Sequence, residues 1–219
     1  MKCSLCNNQD LSLLHQYVNK YNNKLYNRVY YLCSTCELIF LDKNLRLNLS
    51  EEKLRYSQHN NDINDKDYLK FLDKLLVHLI PKLCKTDFGL DYGCGPSVVL
   101  AKYLSKMGFK THHYDPLFFS DTKIFEKKYN FITCTEVAEH FYHPFEEFKK
   151  INNLLKNNGY FGVMTKLYKN PQDFHAWYYH NDMTHVSFYT KNTINWIANK
   201  LNWKIIFLSA QVIIFQKQG

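Results

Sequence analysis

The stretch LDYGCGPSVVLAKYL (residues 90–104) places a glycine turn between a short apolar run and a helix-like segment. Gly93 and Gly95 let the backbone turn sharply and approach a ligand closely. By itself, such a turn is equally compatible with close packing of a helix on a strand. The next strand-like run, KTHHYDP (residues 110–116), ends in Asp115, an acid placed to accept both hydroxyls of a ribose. Together, the turn and Asp115 predict a nucleotide-type pocket at the carboxyl edge of a sheet.

Around this stretch, strand-like and helix-like segments alternate from residue 88 towards the C-terminus. This βαβ rhythm predicts an α/β fold whose mainly parallel sheet carries helices on both faces. The last two apolar runs, residues 203–209 and 211–217, are separated by a single alanine. They predict an antiparallel hairpin at the end of the chain.

Near the N-terminus, four of the seven cysteines form two C-x-x-C pairs, Cys3 with Cys6 and Cys33 with Cys36. Two strand-like runs and a turn-prone NKYNN segment lie between the pairs and predict a hairpin. Two thiolate pairs across a hairpin complete the tetrahedral shell of a structural zinc ion, which offsets the small core of so short a segment. Free or redox-active thiols are the alternative interpretation.

These patterns divide the chain into three predicted parts. Residues 1–45 form a zinc-ribbon-like module, residues 46–85 a helical linker or cap, and residues 86–219 the α/β domain. In the middle part, residues 67–83 have the periodicity of an amphipathic helix that packs on a larger body. Its apolar face comprises Leu72, Leu75 or Leu76, Leu79 and Leu83.

The composition contains 28 Lys and Arg residues against 20 Asp and Glu residues, a formal net charge of +8. Such a charge suits an anionic partner such as RNA, although a solvated basic surface explains it as well. No apolar run approaches the ~20 residues of a membrane span, and the first residues lack the apolar core of a signal peptide. We therefore expect a cytoplasmic protein with no membrane partner.

The run LDYGCGP is followed by YDP (114–116), YNFITCTEVAEHF (129–141) and LLKNNGYFGVMT (154–165). From about residue 50 onward this series resembles class I S-adenosylmethionine-dependent methyltransferases. The resemblance implies a Rossmann-like sheet of seven strands that closes with the C-terminal hairpin, and S-adenosyl-L-methionine as the methyl donor. A similar small zinc module precedes the methyltransferase domain in some members.

In that family, the glycine loop carries the methionine part of the cofactor, the second-strand acid holds the ribose, and residues after the fourth strand flank the sulfonium. The matching positions are Asp91, Gly93, Cys94, Gly95, Asp115, Thr135 and Glu136. Tyr56 and His59, in the run RYSQHNND, are further candidates that cap the cofactor.

The chain departs from the family pattern at three places. Ser97 replaces the third glycine of the loop and is placed to cap a helix that begins at Val98. Asn130 stands where the family usually has an aspartate that stabilises the loop. Thirteen residues separate Asp115 from Tyr129, whereas a single parallel crossover needs about a dozen or more. The fold is therefore expected to be shortened around the third strand, with Phe118 and Phe119 as stacking surfaces for the adenine.

If a helix begins near Glu136, then Glu136, Glu139 and His140 share one face. With His185 as a fourth ligand, they are candidates to bind a hard divalent ion such as Mg²⁺. The pattern resembles the metal sites of small-RNA 2′-O-methyltransferases and ubiquinone-pathway O-methyltransferases, where the ion holds acceptor hydroxyls. The alternative is that the glutamates favour a helix N-terminus and that His140 is a packed residue.

The segment DFHAWYYHNDMTHVSFY (residues 173–189) follows the predicted fifth strand and lies, in this family, over the methyl group. Trp177, Tyr178, Tyr179 and Tyr189 are the candidate walls of an acceptor pocket. The catalytic candidates are His185, then His140, with Asp182, because a histidine titrates near neutral pH and can act as general base.

Three functions are compatible with these patterns. The first is methylation of an O, N or S nucleophile of a small molecule, and the second is methylation of RNA gripped by the module and the basic surface. A non-catalytic zinc-containing binding module is the third. Lys20, Lys24, Arg28 and Lys43 on one side of the pocket mouth would favour RNA, and their scattering would favour a small molecule. The oligomeric state stays open.

Overall fold

The computed structural model of the protein describes residues 1–58 and 61–219. Within these residues, the chain forms a four-stranded sheet and a six-stranded sheet. No helix of this part of the chain is long and apolar enough to cross a membrane.

The four-stranded sheet begins with the predicted hairpin, formed by β1 (Leu11–Tyr21) and β2 (Lys24–Cys33). Its turn, Asn22 and Asn23, has positive φ at both positions (48° and 60°), which a two-residue hairpin turn needs and asparagine tolerates. β3 (Ile39–Leu41) pairs with β2, and β8 (Ser187–Phe188) pairs with β3. The strand order is β1-β2-β3-β8, so the cysteine-rich segment shares its sheet with a late part of the chain.

Two helices follow the third strand. α1 (Leu49–Ser57) starts with a capping box, in which the side chains of Asn48 and Glu51 each accept from the other residue's backbone N–H. α2 (Lys66–Leu79) buries one leucine face, as its periodicity predicts. The buried residues are Leu72, Leu75, Leu76 and Leu79, while Leu83 lies beyond the end of the helix.

The six-stranded sheet has the order β5-β4-β6-β7-β10-β9. The first four strands in this order are parallel to one another, and the C-terminal hairpin pairs antiparallel with β7. The strands are β4 (Phe88–Tyr92), β5 (Lys110–Tyr114), β6 (Tyr129–Thr135), β7 (Leu155–Met164), β9 (Trp203–Leu208) and β10 (Val212–Lys217). This confirms the predicted α/β, Rossmann-like fold with a C-terminal hairpin.

Helices cover both faces of this sheet. α2 and α3 (Val99–Lys106) pack on the face that carries Phe131, whereas α4 (Pro144–Leu154) and α5 (Lys191–Leu201) pack on the face that carries Ile132. Consecutive residues of a strand point to opposite faces, so β6 is buried on both sides. The layers therefore fix the carboxyl ends of the parallel strands at one edge.

The sheet ends at β5, where the family pattern has a further strand. Residues 115–128 contain only a short 3-10 turn, Thr122–Glu126, and an isolated bridge between Asp115 and Phe119. No strand of the described chain pairs with the outer edge of β5. The expected shortening is confirmed, and it leaves an open groove of about 720 Å³ between α3 and β5.

Two local predictions were wrong. Ser97 does not cap α3, because the helix begins at Val99 and the preceding Val98 adopts a left-handed conformation with φ of 53°. The sequence pattern predicts a helix through FEEFKKINNLLKNNG (residues 145–159), but α4 ends at Leu154 and β7 begins at Leu155.

Candidate functional site

The glycine turn lies where β4 and β5 end side by side. The backbone N–H groups of Gly93 and Cys94 both donate to Tyr114 O, at 2.8 and 3.0 Å, and close the turn over the second strand. Gly93 has φ of +82°, and a Cβ there would lie 2.5 Å from Val137. Gly95 has φ of +62°, but a Cβ there would meet no protein atom within 4 Å. The turn is thus closed against the protein at Gly93 and open at Gly95.

Asp115 lies against this turn and is 9% exposed. Its Oδ2 accepts from the Gly95 N–H at 3.1 Å, and its Oδ1 accepts from the N–H groups of Leu117 and Phe118 at 2.9 and 3.2 Å. These bonds fix the carboxylate beside the open side of the turn. Phe118 and Phe119 are half-buried on the same loop.

Asp91 lies beneath the turn and is buried. Its Oδ1 accepts from the Thr133 hydroxyl at 3.0 Å, across the β4–β6 pair. Burial raises the pKa of this carboxyl to about 7, because desolvation disfavours the charged form. Burial also raises the pKa of the Cys94 thiol, so it is not a reactive thiolate.

Sequence reasoning did not find Tyr68, in the first turn of α2. Burial, together with the charges of Asp91 and Glu136, raises the pKa of its hydroxyl to about 12. The hydroxyl accepts from Asn61 Nδ2 at 3.0 Å, and the half-buried ring packs against the core that α2 covers. Helical periodicity gave no signal for this contact, which depends on how α2 meets the sheet.

Glu136 follows Thr135 at the end of β6 and has φ of 52°, a left-handed conformation that is rare for a residue with a side chain. Its N–H donates to Met164 O at 2.8 Å. The helix expected from Glu136 does not form: Ala138–His140 is a 3-10 turn, and α4 starts at Pro144. The prediction that Glu136, Glu139 and His140 share one face of a helix is therefore wrong.

Three of the four predicted metal ligands nevertheless meet. One ligand atom from each of Glu139, His140 and His185 lies within 4.8 Å of the other two. His185 Nε2 is 4.0 Å from Glu139 Oε1. Glu139 is fully buried, His185 is buried and His140 is half-buried. We call these residues the Glu-His-His cluster.

Backbone carbonyls orient both histidines of this cluster. His140 Nδ1 donates to Thr184 O at 3.0 Å, and His185 Nδ1 donates to Tyr179 O at 2.7 Å. Because a carbonyl only accepts, each Nδ1 carries the proton and each Nε2 keeps its lone pair. Burial lowers the pKa of His185 to about 3 and lowers that of His140, so both rings are neutral. Neutral imidazoles with a fixed Nδ1 proton are the usual form of metal-binding histidines.

The carboxylates of this region surround the Tyr179 hydroxyl. It donates to Glu139 Oε1 and lies 3.3 Å from Glu136 Oε2. Gln211 Nε2 donates to the other oxygen of Glu136 at 3.3 Å. Glu139 Oε2 is buried and has no hydrogen-bond partner among the described residues. Burial raises the pKa of Glu136 and Glu139 to about 7. Glu136 thus lies outside the cluster, linked to it by Tyr179.

α1 covers one side of the Glu-His-His cluster. The Tyr56 ring packs edge-on against His140, with ring centroids 5.2 Å apart. Arg55 Nη2 forms an ion pair with Asp182 Oδ2 at 2.6 Å. Tyr56, predicted to cap the cofactor, therefore contacts the cluster. His59, predicted beside it, lies outside the described residues.

Asp182, a predicted catalytic residue, has both carboxylate oxygens engaged. Oδ2 pairs with Arg55, and Oδ1 accepts from the backbone N–H and hydroxyl of Thr184, at 3.0 and 2.6 Å. Burial alone would raise its pKa, but His185, Thr184 and Arg55 hold the pKa below its usual range. We correct its assignment: a permanently ionised, fully bonded carboxylate braces the turn before His185 and is not suited to carry a proton.

The four predicted aromatic walls are dispersed. Tyr179 bonds Glu139, and Trp177 is half-buried with its ring 5.0 Å from that of Tyr179. Tyr178 is 58% exposed, with Lys166 Nζ 4.5 Å from its ring centroid. Tyr189 is fully buried and donates to Ala138 O at 2.7 Å, so its assignment as a wall is corrected to a core residue.

The two C-x-x-C pairs meet at the open end of the β1–β2 hairpin. Cys3 Sγ is 3.6 Å from Cys36 Sγ, Cys6 Sγ is 3.4 Å from Cys33 Sγ, and all four sulfurs lie within 4.8 Å of one another. Sulfurs on a tetrahedral zinc ion, bound at about 2.3 Å, are roughly 3.8 Å apart. The four thiols therefore fit a zinc ion and are too far apart for disulfides.

The two knuckles have the same local structure. Asn7 and Glu37, each just after the second cysteine, have positive φ of 62° and 55°. Their N–H groups donate to Cys3 O and Cys33 O, at 3.1 and 3.0 Å. Equivalent turns present both cysteine pairs to one point, as four ligands of one ion require.

The four cations considered for RNA binding have different surroundings. Arg28 is completely buried, and Lys24 pairs with Glu51 of α1 at 3.4 Å, whereas Lys20 and Lys43 are exposed. The Arg28 side chain donates to His185 O, 157 residues further along the chain.

A family model described as a methyltransferase domain matches residues 63–208. Among solved structures, magnesium protoporphyrin IX methyltransferase from Synechocystis PCC 6803 with bound SAH has 12% identity and a TM-score of 0.52, with 77% of this chain and 94% of that chain covered. An O-methyltransferase family protein from Burkholderia thailandensis has 13% identity and a TM-score of 0.49, with 68% and 56% covered. Human N-acetylserotonin methyltransferase in complex with SAM has 11% identity and a TM-score of 0.48, with 65% and 51% covered. No curated protein sequence matches the chain.

The chain covers just over half the length of the last two structures, and the Synechocystis structure shares its fold. The family match covers about two thirds of the chain and includes the glycine turn, Asp115 and the Glu-His-His cluster. It confirms the expectation of an enzyme of the methyltransferase class. This chain belongs to the methyltransferase domain family.

Proposed function

We propose that this methyltransferase takes its methyl group from S-adenosyl-L-methionine and transfers it to an oxygen of a small molecule. One observation carries the proposal: the open glycine turn with Asp115 and the Glu-His-His cluster lie at the same carboxyl edge of the large sheet. In parallel α/β sheets, ligands bind outside this edge. The first half would hold the donor and the second the acceptor.

The residues around the turn fit the donor. The Gly95 backbone leaves space that a Cβ would fill, and Asp115 is fixed beside it with the geometry that a ribose diol needs. Bound S-adenosyl-L-methionine supplies an electrophilic methyl group on a sulfonium. The contribution of the chain is to hold donor and acceptor in line and to exclude water from them.

The Glu-His-His cluster fits a divalent ion. It offers two Nε2 lone pairs and the unpartnered Oε2 of Glu139. A bound ion would lower the proton affinity of an acceptor hydroxyl. Two imidazoles with one carboxylate suit a first-row transition metal better than the Mg²⁺ suggested by the sequence. In this proposal Glu136 is not a ligand, and Tyr179 holds Glu139 in place.

A small-molecule acceptor is favoured over RNA. Of the four cations that would grip a phosphate backbone, Arg28 is buried, and Lys24 shares its charge with Glu51. Trp177 and Tyr178 both lie against Tyr179, which bonds Glu139, and such aromatic surface suits a planar acceptor. The cysteine-rich module, which we propose binds one structural zinc ion, would then serve the fold.

A calorimetric titration with S-adenosyl-L-methionine tests the donor half. We expect binding by the wild type and at least tenfold weaker binding by Gly95→Ala, whose added methyl meets no protein atom. Gly108→Ala is the matched control, since Gly108 also has positive φ (+87°) and open surroundings but lies beyond α3. Equal affinity in wild type and Gly95→Ala would contradict the cofactor site.

Metal titrations of Glu139→Gln and Glu136→Gln test the acceptor half. We expect Glu139→Gln to lose binding of Mn²⁺, Fe²⁺ or Zn²⁺ at this cluster, while Glu136→Gln keeps it. The amide oxygen of glutamine still accepts from Tyr179, so the first substitution removes a ligand without breaking the local structure. Loss of binding in both variants would restore the four-ligand site.

Formation of S-adenosylhomocysteine, measured with hydroxylated metabolites and separately with total RNA, tests the acceptor class. We expect turnover with the metabolites, which falls after chelation. Turnover with RNA alone would replace the small-molecule proposal. Donor binding without turnover of either would favour the non-catalytic module.

A further inference from the structure

One buried arginine of β2 connects the cysteine-rich sheet to the segment that carries His185. Arg28 has no exposed surface. Its Nη2 donates to His185 O at 3.0 Å, and its Nε donates to the Tyr30 hydroxyl at 3.1 Å. No carboxylate of the described residues forms an ion pair with it, and its Nη1 has no hydrogen-bond partner there.

Stability does not account for this residue. A buried guanidinium without a counterion is costly, and a hydrophobic side chain of similar size generally makes a fold at least as stable. Among the described residues, the only main-chain group that the Arg28 side chain bonds is the carbonyl of His185. Features that cost stability are concentrated at functional sites, where they hold a particular geometry.

The bond from Arg28 completes the restraint of His185. The His185 N–H donates to Asp182 O at 3.1 Å, and its ring Nδ1 donates to Tyr179 O at 2.7 Å. Two residues further on, β8 begins and pairs with β3. With Arg28 on the carbonyl, the residue is fixed at its N–H, its C=O and its ring, and Nε2 faces Glu139.

Two tyrosines of the same hairpin hold His180. The Tyr30 hydroxyl donates to His180 O at 3.4 Å, and the Tyr17 hydroxyl donates to His180 Nδ1 at 3.1 Å. The Tyr30 hydroxyl also accepts from Arg28. The cysteine-rich sheet therefore holds the segment from His180 to His185 at both ends.

We propose that Arg28 is a positioning residue for His185, and that the cysteine-rich sheet is in this way a structural part of the acceptor site. Arg28 touches neither donor nor acceptor; it fixes the backbone from which the His185 ring projects. Groups that orient a metal-binding histidine commonly change metal affinity or activity by about 10- to 100-fold when removed. The inference rests on the proposed function only in assigning His185 to the acceptor site.

The test compares Arg28→Met, Arg28→Lys and Lys20→Met in the full-length protein. Methionine removes every donor and keeps an unbranched apolar stem, lysine restores a charged donor, and Lys20 is an exposed cation on the neighbouring strand. We expect Arg28→Met to keep the melting temperature and zinc content of the wild type but to bind Mn²⁺ at the Glu-His-His cluster at least tenfold more weakly. Arg28→Lys should bind Mn²⁺ more tightly than Arg28→Met, and Lys20→Met should bind it as tightly as the wild type.

Nitrogen NMR of the His185 ring gives a second readout that needs no metal and no acceptor. We expect the wild type to show a single Nδ1-protonated tautomer and Arg28→Met to show exchange between tautomers. Wild-type metal affinity and a wild-type ring spectrum in Arg28→Met would overturn the proposal, as would a fall in melting temperature alone. If the wild type binds no metal, the metal half of the proposed function fails, and the ring spectrum still decides the role of Arg28.

Discussion

At the scale of single residues, Asp91 couples the glycine turn to pH. Its pKa is raised by burial from 3.8 to about 7. Between these values the unfolded chain loses the proton while the folded protein keeps it. Stability contributed by this group therefore falls as the pH rises from about 4 to 7 and stays low above pH 7.

We predict that Asp91→Asn removes this pH dependence of stability. The variant cannot ionise, and its side-chain oxygen still accepts from Thr133. Relative to wild type, its free energy of unfolding should rise between pH 5 and pH 8 by roughly 3 kcal/mol, because the pKa of about 7 lies about two pH units above pH 5. Urea denaturation of both proteins without cofactor at the two pH values measures the difference. An unchanged difference between pH 5 and pH 8 would contradict the raised pKa.

Sequence predicts which site residues lie close together where the order of the strands determines it. Gly95 and Asp115 meet because each follows one of two adjacent parallel strands, β4 and β5, whose carboxyl ends must lie together. Tyr179 and Tyr189 were indistinguishable as letters of one aromatic segment, yet one bonds Glu139 and the other is in the core. Which side of an irregular segment a ring takes depends on packing that has no sequence period.

At the scale of elements, the βαβ rhythm predicted the strands well because each is a short apolar run between turns. Helical periodicity failed at Glu136, since the left-handed backbone there ends β6 and starts a 3-10 turn in place of a helix. His185 still joins Glu139 and His140, because Val186 N–H donates to Glu139 O at 2.9 Å and brings the two segments together. The cluster was thus predicted for a partly wrong reason.

Asn130 shows how one side chain joins two elements. Its Oδ1 accepts from the N–H of Phe88 at the start of β4 and from Lys156 Nζ of β7, at 3.1 and 2.9 Å. The amide oxygen therefore joins the starts of β4 and β7 and does not contact the glycine turn at the other end of β4. We predict that Asn130→Ala lowers the free energy of unfolding by about 1–2 kcal/mol, because the Phe88 N–H loses its acceptor.

The matched variant Asn130→Asp keeps the acceptor and adds a charge beside Lys156, so it should be at least as stable as wild type. Asn157→Ala, at an exposed position of β7, controls for general effects on that region. Chemical denaturation measures all three variants. If Asn130→Ala proves as stable as wild type, the amide does not hold β4.

At the scale of the whole molecule, several contacts join the cysteine-rich sheet to the methyltransferase fold. β3 pairs with β8, Arg28 bonds His185 O, and the Glu37 side chain accepts from Thr190 and Asn192 at the start of α5. The sequence patterns divide the chain into parts, but they do not show these contacts between the parts. The contacts connect residues about 150 apart along the chain.

These contacts between the cysteine-rich sheet and the methyltransferase fold lead to a prediction about the proposed zinc ion. Cys36→Ser should release the second knuckle, and with it Glu37, β3 and the support of β8. We expect zinc content to fall from about one per chain and the melting temperature to fall by about 10 °C, since a structural zinc ion contributes directly to folding energy. Cys84→Ser, at an exposed single cysteine, is the control and should change neither quantity.

Measurements on Cys36→Ser below its melting temperature also separate the donor half of the site from the acceptor half. The donor half is built on β4 and β5, which pair with no described strand of the small sheet, so affinity for S-adenosyl-L-methionine should stay within about twofold of wild type. The acceptor half depends on the segment that β3 and Arg28 hold, so Mn²⁺ affinity at the Glu-His-His cluster and methyl transfer should both fall at least tenfold. Calorimetry with each ligand makes the comparison. Equal losses on both halves would mean that zinc supports the fold as a whole, and no loss on either would mean that the cysteine-rich sheet is independent of the methyltransferase site.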